Sequence, residues 1–155
     1  MDEMIAARAL HVLAVLMWIG GVAFVTLVVM PSLSTNAPAD QQLARFQEKE
    51  GRFAGQARFW VLLAGASGFW MIWRADLWGR FSDPHFWWMH AMLGIWTIFA
   101  LMLFILEPLV LHRRMDASPA PALDFRRMVW MHHILLVLSL IALLGAVGGR
   151  HGLYL

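Results

Sequence analysis

Four stretches of this sequence carry almost no charge, and no other feature narrows the choice of fold so far. Ala9 to Met30 is broken only by His11, Trp18 and Thr26 in an otherwise apolar run. Phe59 to Trp73 is closed by Arg58 and Arg74, Phe86 to Leu106 is entered after Pro84 and left at Glu107-Pro108, and Met128 to Gly149 is the last. A helical membrane crossing takes about 20 apolar residues. The second stretch is short for this, but Arg58 and Arg74 can snorkel and the helix can continue to Trp78. Strands are excluded, because an open sheet edge has no hydrogen-bond partners in lipid and no alternating pattern appears. The expected fold is all-α: an integral membrane four-helix bundle, one domain over residues 1–155, with spans near 9–30, 58–78, 86–107 and 128–149.

Composition agrees. Hydrophobic residues make up 61% and charged residues 14% of the chain, whereas a soluble domain carries about 25% charged residues. A soluble enzyme, a disordered chain and a nucleic-acid binder are all excluded. The absence of cysteine removes disulfides, thiolate metal sites, iron–sulfur clusters and haem attached through Cys. The acidic opening, Asp2-Glu3, does not read as a cleaved signal peptide.

Basic residues set the expected orientation. Arg45, Lys49, Arg52, Arg58, Arg113, Arg114, Arg126 and Arg127 lie in the loops after spans one and three, against Arg8, Arg74, Arg80 and Arg150 on the other face. The richer side is expected to be cytoplasmic, placing both termini in the periplasm of a bacterial inner membrane. Trp70, Trp73, Trp78, Trp87 and Trp88 suit an outer interfacial belt and Trp60 and Trp130 an inner one, while Trp18 and Trp96 lie deeper. Asp40 to Phe53, with Leu43, Phe46 and Phe53 among polar residues, reads as a short amphipathic helix on the membrane surface. Asp116 to Asp124, with Pro119 and Pro121, reads as irregular.

The histidines carry the chemistry. His85, His112 and His151 fall at span ends or in loops and read as solvated side chains. His11, His90, His132 and His133 fall inside spans, where a polar residue is costly and marks a functional site. His11 is expected about 10 Å deep and His90 roughly 6–8 Å deep from the same face. Two imidazoles at matched height on facing helices suit a haem iron held from both sides. Gly20, Gly21, Gly65, Gly68 and Gly94 then read as room for the macrocycle, and Arg8, Arg74, Arg80 or Arg150 as propionate partners. Close helix packing is the plainer reading of the glycines. His132 and His133 belong to the opposite half and point about 100° apart. With His112, Arg58, Arg113, Arg126 and Arg127 they suggest a second haem or a quinone site, with Ser139 adding a hydroxyl; tolerated interfacial imidazoles are the plainer reading. Met89 and Met92 flank His90, and Met128 and Met131 precede His132. Thioethers suit Cu(I), so copper is the alternative metal at His11, His90 or His132.

His11, Trp18, Gly20 and Gly21 in H-V-L-A-V-L-M-W-I-G-G, Trp88-Met89-His90 and Phe125-Arg126 together resemble a four-helix membrane family. It contains the copper-resistance protein D domain and the bacterial haem-binding protoporphyrinogen oxidase. The resemblance implies a haem-binding histidine at His11 and, by position, at His90. Met92 stands where the oxidase group has a lysine, and Val129 and Trp130 stand near its last-helix Asn-Glu.

The function expected is a membrane b-type haem protein, with one or two haems, moving electrons between a quinol or quinone pool and a redox partner. If it is an enzyme, it is an oxidoreductase, quinone-linked or of the protoporphyrinogen-oxidase kind. A copper-handling membrane protein and a cofactor-free subunit of a membrane complex or homo-oligomer are the alternatives.

Overall fold

The computed structural model describes residues 2–111 and 118–150, so the expectations for His112, Arg113, Arg114 and His151 lie outside the described residues. Every regular element among those described is a helix. Helix α1 (Asp2–Phe24) passes through a π-helical segment (Val25–Val29) into α2 (Met30–Asn36). Helix α3 (Gln42–Arg74) follows, then two 3-10 turns (Leu77–Ser82 and Pro84–Phe86). Helix α4 (Trp87–Leu101) runs into a second π-helical segment (Met102–Leu111), and α5 (Pro121–Arg150) completes the bundle.

Both π segments are explained by proline. Pro31 offers no N–H to the turn before it, and the loosened turn places the Met30 N–H on the Val25 carbonyl. Pro108 likewise cannot serve the Leu103 carbonyl five residues back. Arg58 Nε on α3 donates to that carbonyl at 3.1 Å, and its guanidinium pairs with Glu107 at 3.2 Å. Arg58 therefore joins α3 to the segment after α4.

Neighbouring helices run antiparallel. Gly21 faces Phe53 and Gly68 faces His11 across α1 and α3, while Gly145 and Gly149 face Trp87 and Trp88 across α5 and α4. One core gathers Ala14, Trp18, Val61, Ala64, Ile95, Phe99 and Leu135; a second, at the other end, gathers Met30, Leu33, Leu43, Phe46, Phe125 and Met128.

Among the described residues, three helical stretches are long and apolar enough to cross a membrane: Glu3–Asn36, Pro84–Glu107 and Pro121–Gly149. Only 6% of the most apolar window in Pro84–Glu107 is buried, and Leu16, Leu62, Leu144 and Val147 are exposed on their helices. Apolar faces of that extent suit a hydrocarbon surround rather than water.

Three sequence expectations change. The segment Asp40 to Phe53 is not a separate surface helix, because α3 runs unbroken for 33 residues. Its stripe is used inside the bundle: Leu43 and Phe46 are 2% and 1% exposed. Nor does the helix reach Trp78. It ends at Arg74, and Asp76 takes a left-handed φ of 49° that turns the chain into Leu77–Ser82. At the other end, Pro121 opens α5, so 121–124 is helical rather than irregular.

Candidate functional site

A cavity of about 350 Å³ opens at the end of the bundle that holds His11, within the about 300–1,000 Å³ usual for ligand and cofactor sites. His11 enters it from α1. Its Nδ1 lies 2.9 Å from the Ala64 carbonyl and 3.1 Å from Ser67 Oγ. A carbonyl only accepts, so Nδ1 carries the proton and donates. Ser67 can accept as well, since its own proton goes to the Leu63 carbonyl at 2.6 Å. The tautomer is thereby fixed, and Nε2 keeps its lone pair. Metal-ligating histidines are oriented in this way, by a backbone acceptor on the other ring nitrogen.

Glycines shape the space. A Cβ on Gly68 would come within 3.1 Å of His11 Cε1. A Cβ on Gly65 would come within 2.5 Å of the Trp96 ring, whose Nε1 donates to the Val61 carbonyl at 2.8 Å. Arg8, three residues before His11, and Arg80, from the 3-10 turn, bring the cationic side chains to the wall. Met4, Met71, Met89 and Met92 bring four thioethers.

A smaller cavity of about 180 Å³ lies between the helices around His132. His132 Nδ1 donates to the Met128 carbonyl at 3.0 Å, leaving Nε2 unprotonated, and the ring stands edge-on to Phe46. Glu107, paired with Arg58, also lines it. Trp18 is a wall of both cavities. It is 4% exposed and stands edge-on to Phe99, with centroids 5.0 Å apart. Among the described residues its indole N–H has no hydrogen-bond partner. A buried donor left so costs about 1–3 kcal/mol.

The sequence-picked residues separate on these surfaces. His11 and Trp18 meet at the larger cavity. His90 does not join them: it is exposed and packs edge-on against Phe81, with centroids 5.3 Å apart. Gly94 shares that outer face, with no atom within 4 Å of where a Cβ would stand. His133 donates to the Val129 carbonyl at 2.8 Å and lines neither cavity. Gly21 makes room for the Phe53 ring instead of a macrocycle, and Arg58 serves Glu107 and Leu103 instead of a propionate. Ser139 is turned to the Leu135 carbonyl. Ser67, Met4 and Met71 were not expected at the site. Ser67 alone carried a usable signal, as a polar residue inside an apolar span.

Among the described residues no three His, Asp or Glu side chains gather as a metal site. The donors on hand are single imidazoles and thioethers. Comparison of the chain with protein-family models, with curated proteins and with solved structures finds no match.

Proposed function

We propose that this chain is an integral membrane haem-b protein that carries electrons, with His11 as the iron's protein ligand. The observation that supports it is the fixed His11 tautomer on a cavity wall: Nδ1–H donates to Ala64, and Nε2 keeps its lone pair. The other residues fit the same group. Gly65 and Gly68 clear space for neighbouring rings, Arg8 and Arg80 offer charge to propionates, and the remaining wall is aromatic and apolar. A haem there would supply reversible one-electron transfer. On the α4 side the cavity offers the thioethers of Met89 and Met92 in place of His90. The resemblance to the haem-binding family rests on the same His11.

The setting proposed is a bacterial plasma membrane crossed four times, with both termini in the periplasm. Helix α3 is the fourth crossing. Its 33 residues reach about 50 Å, and Arg58, at the start of its uncharged part, is already paired with Glu107. The basic-residue bias places the Arg58 end inside.

One observation favours a second reading. His11 shares its wall with Met4, Met71, Met89 and Met92, an imidazole and thioether set that also suits Cu(I). A pyridine haemochrome assay with metal analysis on the purified chain separates the two. Haem and iron in equal amounts, lost together in His11→Ala, support the first. Copper without haem supports the second. A colourless, metal-free protein after expression with haem and copper supplied overturns both.

A further inference from the structure

We propose that the smaller cavity binds the head ring of a hydroquinone lipid, set between the Trp18 indole N–H and His132 Nε2. Three observations lead there.

The first is the unmatched donor. Trp18 Nε1 is buried, has no partner among the described residues and belongs to a side chain lining this cavity. A guest that brings an oxygen acceptor would complete it.

The second is the complementary acceptor. With Nδ1–H committed to Met128, His132 presents Nε2 as an acceptor only. The side chains that line the cavity thus carry one uncommitted donor and one uncommitted acceptor. A hydroquinone matches both, because each of its hydroxyl oxygens donates one proton and accepts at its lone pairs. The oxidised quinone has two acceptors and would set a carbonyl against the Nε2 lone pair. The reduced form is therefore the better ligand.

The third is the shape and charge of the walls. Phe53, Phe99 and Met128 make them apolar, and about 180 Å³ holds a single substituted ring but is below the usual size for a large cofactor. The carboxylate on the wall, Glu107, is ion-paired with Arg58, so no uncompensated charge invites an anionic or cationic guest. A neutral ring that reaches its site through lipid meets these conditions.

This inference stands independently of the haem reading, since none of the three observations involves His11. It is tested by isothermal titration of decylubiquinol and decylubiquinone into the full chain in phosphatidylcholine nanodiscs. The expected result is one site per chain, with the hydroquinone bound more tightly than the quinone. Trp18→Phe and His132→Phe keep an aromatic ring and remove the donor or the acceptor. Each should weaken hydroquinone binding by roughly five- to tenfold, as the loss of one neutral hydrogen bond implies. Trp18 also lines the larger cavity, so His132→Phe carries the test if Trp18→Phe does not fold. His11→Ala should bind hydroquinone as the parent does even where haem is lost, which keeps failure of one site apart from failure of the other. Equal binding by the parent and both Phe variants overturns the proposal. So does absence of binding, with Trp18→Phe raising the thermal midpoint, which would make the cavity a water site. Copper(I) displacing hydroquinone and binding at His132 in its absence would overturn it in favour of a thioether metal site.

Discussion

A methyl group added at Gly68 would stand 3.1 Å from His11 Cε1 and 3.4 Å from its Nδ1, tight enough to turn the ring away from the Ala64 carbonyl. Gly68→Ala is expected to lower retained haem several-fold while helical circular dichroism stays at the parent level; unchanged haem content would show that the tautomer lock is unimportant. His90→Ala, by contrast, should leave the haem spectrum as it is, because His90 lies on an outer face against Phe81. Gly65→Ala acts on the fold: its methyl meets the Trp96 ring, which is tied to Val61. Overpacking of this kind costs about 1–3 kcal/mol, read as a lower thermal midpoint in detergent. At the exposed turn, the His85 backbone N–H, at 2.9 Å, and then its ring hold the Asp83 carboxyl below the usual carboxylate range. A depressed folded value means that this contact stabilises the turn above the ordinary carboxylate pKa and is lost as pH falls through the folded one. Protection of the His85 amide, taken relative to its intrinsic exchange rate, should therefore be lost only in acid below the ordinary carboxylate range, and Asp83→Asn should remove that dependence. His11 and Trp18 were legible as candidates because polar atoms inside an apolar span ask for a reason. The acceptor that orients His11 was not, since a backbone carbonyl has no letter in the sequence. His90 was placed by depth and by position in a resembling motif, and neither fixes which way it faces. Depth fixes height but not azimuth, and one step of about 100° separates the outward His90 from Met89 on the cavity wall.

Among the elements, α3 departs furthest from the sequence reading. Its first turns are studded with Gln, Glu, Lys and Arg, which resemble a loop lying on a membrane, yet Leu43, Phe46 and Phe53 keep helical spacing straight into the uncharged part. Charge marks where lipid ends more reliably than where a helix ends. The π segments were equally hidden: proline announces a broken ladder, but not that the Met30 N–H moves to the Val25 carbonyl or that Arg58 of another helix reaches the Leu103 carbonyl. Arg58→Ala should cost about 1–3 kcal/mol by stranding the Leu103 carbonyl and leaving Glu107 without its guanidinium. Arg58→Lys should recover only part of this, because an ammonium lacks the fork that reaches carbonyl and carboxylate together. The fourth crossing can be checked directly, since the chain has no cysteine of its own. Gln56→Cys and Ala75→Cys bracket the uncharged part of α3, and a membrane-impermeant maleimide should reach them from opposite sides. Labelling of both from one side would remove α3 from the set of crossings.

For the molecule as a whole, the helical class and the three long apolar helices were legible from the gaps between charges, because exclusion of charge from hydrocarbon is a strong and local rule. The division of the interior into two chambers was not, because it depends on how helices turn about their axes. Both chambers end on Trp18, and that has a consequence for how such a chain can diverge. A replacement at position 18 alters the lining of both chambers in a single step. The two sites therefore cannot drift separately through that position, whereas Met92 or His132 can vary on one side alone. Descendants of such a chain would keep Trp18 fixed, or change it only alongside residues from both chambers, and the two linings would be inherited as one unit.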